Sequence, residues 1–339
     1  MAEIDWFPEA AARFPSSPVW HGGEGALYWS DIDACRLYRL RPADGAVETV
    51  LDDGRPVGAL VPQADGSLLL FRDRGNVVAF RDGGIAETVV PDIADFRKTR
   101  DASAAADAAG RVVCSVLSDS FHQVRYMLLD RGGCLSTLCE TIGVPAGIAF
   151  ADGGGAILAA NSYPTRPDIF RAPYDASAQE PLGEQLQKIA DYLQPGRPAK
   201  GVPAGLAVAS DGSVVAAVSG DSAIERLAPT GGVLLRMPLP VRRPIGLCFG
   251  GEALDVLYVT TAGAHRRGFD GEHAGELAAV RGFPVSGAAP FLAKIGLPDD
   301  ASLPDDSSPQ DAAPAVAESE GSDGDGESPA ADGESVGDA

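Results

Sequence analysis

The last forty-one residues, 299–339, contain no Lys and no Arg, and the whole chain has 27 basic residues against 48 acidic ones. Binding to nucleic acid needs a basic stripe that neutralises phosphates, so this balance excludes nucleic acid as a partner. No stretch approaches the ~18 consecutive apolar residues of a membrane span, which predicts no membrane association. The opening MAEIDWFPEAAARF has neither a basic start nor an apolar core, so no secretory leader is expected. There is no CxxC pair. The cysteines Cys35, Cys114, Cys134, Cys139 and Cys248 are odd in number, and several sit in apolar runs. Reduced thiols in a cytoplasmic protein are the expectation. Histidine is equally sparse: His21, His122, His265 and His273 form no HxH or HxxxH pair, so no transition-metal site is built from them.

What is present is acidic, apolar and repetitive. With 339 residues, 45% of them hydrophobic, the chain can bury one large core or two ordinary ones. Thirteen of the acidic residues fall within 299–339, leaving −8 of the net charge of −21 for residues 1–298. That last segment is rich in Asp, Glu, Ser, Gly, Pro and Ala and lacks aromatics. Such a composition cannot bury enough surface to offset its ordering entropy, so 299–339 is expected to be a disordered acidic tail. Its expected role is solubility, with a protein partner of the tail as the sharper alternative.

Within 1–298 one phrase recurs six times, with copies 38 to 58 residues apart, beginning at Ser17, Arg55, Asp101, Val144, Val202 and Arg243. The clearest pair is VPAGIAFADGG from Val144 and VPAGLAVASDG from Val202. Each copy reads as a turn, a short apolar strand, a Gly-containing turn and a second strand, and most are followed by a further strand pair. Six units of four strands predict an all-β fold, a six-bladed β-propeller over 1–298. The one stretch with helical spacing, EPLGEQLQKIADYL, predicts one or two helical turns inserted between blades.

Several of these phrases resemble the gluconolactonase/regucalcin (senescence marker protein) family: PVW…GALYWSDIDACRLYRLRPADGAVETV, VPAGIAFADGGGAILAANSYPTRPDIFRAPYD and RPIGLCFGGEALDVLYVTTAG. The resemblance spans roughly Pro18 to Leu297. It implies a six-bladed propeller with one divalent metal, calcium or zinc, at the top of the central channel, and hydrolysis of sugar-acid lactones or other esters. It further implies a metal held by a Glu before Pro-x-Trp, an Asn in Pro-Asn-Gly and an Asp in Pro-Asp-Gly, the Asp also serving as base. An Arg and an Asn in a third turn would hold substrate.

Carried onto this chain, the Glu position is Ser16, the metal-binding Asn is Ala146 and the Asp is Ala204, while the substrate Asn is Ala102 and the Arg is retained as Arg100. Asn161 stands where the family commonly has an Asp near the channel, and is expected either in the pocket or in a turn. Ca²⁺ takes six to eight oxygens and draws much of its affinity from carboxylates. Replacing two carboxylates and an amide by Ser16, Ala146 and Ala204 therefore predicts no metal and no other cofactor. Metal-activated water and the base would go together.

Other clusters offer little chemistry. Ser118, Asp119, Ser120 and His122 lie in one short stretch, whereas triads are assembled from distant segments. The loop with His265, Arg266, Arg267 and His273 reads as a solvated connection, with anion binding as the alternative. Gly22 to Gly25 reads as a turn. No catalytic residue is nominated. The leading expectation is a divergent family member that has lost the metal triad and uses its central pocket as a small-molecule-binding protein or metal-free enzyme. Methyl groups at the mouth suit a ligand less polar than a sugar lactone. The alternatives are a lactone or ester hydrolase with a rebuilt site, and a protein-interaction scaffold.

Overall fold

Short runs such as ALYWSD (Ala26–Asp31) and LLLFR (Leu68–Arg72) are buried on both faces, which suits strands flanked by sheets on either side. The computed structural model describes residues 2–96, 99–118, 123–183, 185–196 and 201–298, and the expected tail, 299–339, lies outside them. The described strands form six four-stranded antiparallel sheets. We number them as blades 1 to 6, over 15–52, 57–90, 99–142, 145–191, 202–238 and 244–281. Blade 6 borrows its outermost strand from the other end of the chain: Glu3–Phe7 pairs antiparallel with Leu277–Arg281, and this closes the ring. The first strand of each blade is innermost: Pro15–His21, Val57–Pro62, Thr99–Ala106, Pro145–Ala151, Val202–Val208 and Pro244–Gly250. All six copies of the repeated phrase fall on these strands.

The hydrophobic core lies between blades rather than in one central mass. Phe71 and Val77 of blade 2, with Phe96 of the loop after it, pack with Val112, Cys114 and Leu129 of blade 3, and Leu158 and Ile169 of blade 4 with Val214 and Val218 of blade 5. Buried polar groups join the seams too. The Tyr174 hydroxyl of blade 4 donates to Asp107 of blade 3 at 2.9 Å, and Arg111 pairs with the same carboxylate at 2.7 Å.

The stretch read as helical is a strand. Gln187–Asp191 is the outermost strand of blade 4, and the α-helix among the described residues, Arg267–Asp270, has only four residues. Leu186, Ile189, Ala190 and Leu193 have helical spacing, but a register shift between Ile169 and Phe170 leaves Ile189 as an extra residue. The bulge turns both Ile189 and Ala190 inward, while Leu186 and Leu193 stay exposed. No helix among the described residues is long and apolar enough to cross a membrane.

After blade 6 the chain crosses beneath the propeller. The Gly287 and Ala288 amides donate to Leu254 and Val208, Phe291 meets the Phe150 ring edge-on, and the Ala293 amide donates to Pro62. This path runs from blade 5 past blade 4 to blade 2. Blades 5 and 2 face each other across a six-fold ring, so residues 288–293 cross the axis and floor the channel.

Candidate functional site: the central channel

Every inner strand carries one extra residue near its start. The shifts fall between Ser16 and Val19, Val57 and Ala59, Asp101 and Ser103, Pro145 and Gly147, Pro203 and Gly205, and Pro244 and Gly246. Such bulges re-aim a side chain and are common at rims and beside active sites. In blades 2 to 6 the extra residues are Gly58, Ala102, Ala146, Ala204 and Ile245. The family-equivalent positions Ala102, Ala146 and Ala204 are thus the same structural position on three successive blades, with Ser16 beginning the bulge of blade 1.

The glycine that follows has a different task. A methyl group on Gly147 would lie 2.9 Å from the Leu206 amide nitrogen, one on Gly205 2.6 Å from the Ile245 carbonyl oxygen, and one on Gly246 2.5 Å from the Pro18 ring. These glycines let successive inner strands approach around the ring. In Pro-Ala-Gly the packing residue is therefore kept, and the position that carries chemistry in the resembled family is a methyl group.

The channel encloses a cavity of about 230 Å³, lined by Ser16, Ala146, Ile148, Leu206, Leu247 and Phe249 among others, with Ala288–Phe291 at its floor. No carboxylate, imidazole, ammonium or guanidinium lines it among the described residues. Ser16 is buried and its hydroxyl donates to the Gly58 carbonyl at 3.0 Å; the Ser17 hydroxyl accepts from the Leu60 amide at 2.9 Å. Both serines stitch blade 1 to blade 2. Ser103 and Ser115 share a hydroxyl hydrogen bond at 3.0 Å. Cys248 lines the cavity, and burial pushes its thiol well above the usual range, which favours the neutral thiol.

The remaining expected site residues are dispersed. Ala204 is buried at the bulge of blade 5 but does not line the cavity. Asn161 ends the second strand of blade 4; its Oδ1 accepts from the amides of Val144 at 2.9 Å and Tyr163 at 3.0 Å, which fixes that turn. Arg100 and Ala102 belong to the inner strand of blade 3, with Arg100 opposite Leu117, and their side chains lie outside the described residues. So do Asp119, Ser120 and His122. His273 stacks on Trp6 at 4.3 Å and pairs with Glu276 at 2.8 Å, so it fastens the last-blade loop to the N-terminal strand.

The donor set does not fit the family's divalent metal. Two methyl groups and one hydroxyl already engaged with a carbonyl leave no charged oxygen. Among the described residues no group of three or more His, Cys, Asp or Glu side chains is arranged to hold a metal ion.

The six bulged inner strands, with Pro-x-Gly repeated at their starts, form the frame of a six-bladed propeller. Residues 14–263 match the family model described as the SMP-30/Gluconolactonase/LRE-like region, and the chain belongs to that family. It is 32% identical over 264 residues to pentonolactonase XacC of Haloferax volcanii, covering 78% of this chain and 87% of that protein. It is 29% identical over 283 residues to 6-deoxy-6-sulfogluconolactonase of Pseudomonas putida, covering 83% and 91%. Among solved structures, a luciferin-regenerating enzyme superposes with a TM-score of 0.76 at 19% identity, covering 87% of this chain and all of that one. A calcium-binding regucalcin from Agrobacterium tumefaciens gives 0.74, also at 19% identity, covering 84% and 95%. These structural likenesses show the fold.

Proposed function

We propose that this chain is a divergent family member whose metal triad has been replaced, and that its channel binds a small molecule less polar than a sugar lactone. The observation that carries this reading is the state of the bulge positions. Ala146 and Ala204 present methyl groups, and the Ser16 hydroxyl is already bonded to Gly58. A lactonase of the metal type needs a Lewis acid, an activated water and a base there, and these side chains supply none of the three. The channel beside them is a largely apolar volume, which suits ligand binding or metal-free chemistry. That the cavity is open space rather than plugged favours a ligand over a purely scaffolding role.

Hydrolysis of a lactone or other ester is the second reading, favoured by the 32% identity to a pentonolactonase. It requires an acid–base group brought to the channel from a new position. A cytoplasmic setting agrees with an odd number of cysteines and no CxxC pair.

Calorimetric titration of the chelator-treated protein with Ca²⁺, Zn²⁺ and Mn²⁺ tests the reading. The expected outcome is no binding at micromolar concentration. Micromolar or tighter binding would overturn it and direct attention to lactone substrates.

A further inference from the structure

Blade 6 has a charged residue next in sequence to the channel wall, although its side chain does not line the cavity. Arg243 directly precedes Pro244, the first residue of that blade's inner strand, and Ile245 and Gly246 line the cavity. Its side chain is 25% exposed, yet the guanidinium makes no hydrogen bond among the described residues. Its ionic partner is Asp270, whose Oδ2 is 3.7 Å from Nη1. Arg266 also approaches the same oxygen, Nε at 3.8 Å.

Asp270 is 1% exposed, and neither carboxylate oxygen accepts a hydrogen bond. A charge buried this deeply is costly unless compensated. Here the compensation is electrostatic, with two guanidinium groups just beyond hydrogen-bond reach. Space for the carboxylate comes from Gly263, where a methyl group would lie 2.7 Å from Asp270 Oδ2. The fold thus places a buried carboxylate behind Arg243 without engaging its N–H groups. Those N–H groups stay available as a planar fork, the geometry that matches a carboxylate. Arg242 and Arg266 flank the exposed Phe269 ring at 4.5 and 5.0 Å. Arg267 of the same loop is paired with Glu276 at 3.1 Å.

We propose that Arg243, oriented by Asp270, anchors the anionic head of the channel's ligand, which is a small apolar monocarboxylate with its body among Ile148, Leu206 and Leu247. The proposal rests on the reading of the channel as a ligand pocket. By backbone register Arg100, two residues before the bulge of blade 3, is the counterpart of Arg243 across the axis. It is the competing anchor.

The test uses the full chain, with benzoate and cyclohexanecarboxylate as probes against benzamide and cyclohexanecarboxamide. Binding is followed by calorimetry and by the fluorescence of Trp20, which lines the cavity. Each carboxylate is expected to bind at least about tenfold tighter than its carboxamide, or ~1.4 kcal/mol. Arg243→Met and Arg243→Gln should abolish that preference and leave carboxamide affinity unchanged. Asp270→Asn should weaken carboxylate binding several-fold, although the site becomes more positive. A simple charge effect would strengthen it. Thermal melts of each variant separate misfolding from lost recognition, and Arg243→Lys, which retains the charge, should keep part of the preference. Equal binding of both probe classes would leave the ligand pocket standing and remove the anion anchor. A preference that survives Arg243→Met, or is lost in Arg100→Met instead, would also overturn it. No binding of either class would defeat the pocket reading and this proposal together.

Discussion

Gly205 has the Ile245 carbonyl of the next blade 2.6 Å from where a methyl group would sit. Backbone cannot step aside as a flexible side chain can, so Gly205→Ala should cost about 1–3 kcal/mol, the usual range for overpacking. Chemical denaturation of the variant checks this. Asp211 makes a pH-dependent contribution. It accepts from the Ser213 hydroxyl at 2.6 Å and the Ser213 amide at 3.0 Å, and pairs with Arg226. The Ser213 hydroxyl, then the Ser213 amide, hold its carboxyl below the ordinary 3.8, with Arg226 adding to the effect. A group whose pKa is lowered on folding stabilises above its unfolded pKa, and the stabilisation is lost as pH falls through the folded value. Asp211→Asn should therefore lower stability at pH 7 by a few tenths of a kcal/mol and erase the difference from wild type at pH 2, in urea titrations at both pH values.

At the level of the strand, the legible and illegible parts of the sequence separate cleanly. The inner strands could be read because Pro, a small residue and Gly recur before an apolar run, and each part answers a physical need: a strand start, a bulge and a close approach. Gln187–Asp191 could not, because a single extra residue makes a strand mimic helical spacing. The bulge positions Ala146 and Ala204 were readable from their neighbours Pro145, Gly147, Pro203 and Gly205. Asp270 was not. Its burial depends on Gly263 and on the loop's closure against Pro240 and Val241, neither of which leaves a local signature. The same reasoning predicts that the bulges still have the geometry of a metal site. The triple variant Ser16→Glu, Ala146→Asn and Ala204→Asp should acquire divalent-metal binding measurable by calorimetry, against an expected absence of binding in the wild type. Failure to bind in a folded variant would mean that the bulges themselves have moved, and not just their side chains.

Across the whole molecule, the ring depends on residues almost a full chain length apart. Glu3–Phe7 supplies the outer strand of blade 6, and Trp6 of that strand carries the stack with His273. Removing residues 1–8 would expose Leu277–Arg281 as an open edge and free the last-blade loop. We expect the melting temperature to fall by about 5–10 °C, measured calorimetrically, for a loss of a few kcal/mol. The truncated chain should also self-associate at its open edge, which light scattering would detect.

The crossing segment at the base decides traffic through the propeller. With Ala288–Phe291 laid over the far end, the tube is a cul-de-sac. A ligand of the proposed kind would enter and leave through one doorway, and the water it displaces would escape past it in the opposite direction. Arrival and departure are then both governed at the rim where Arg243 stands. A change at that doorway would alter how long a guest stays even where it never touches the walls that hold it.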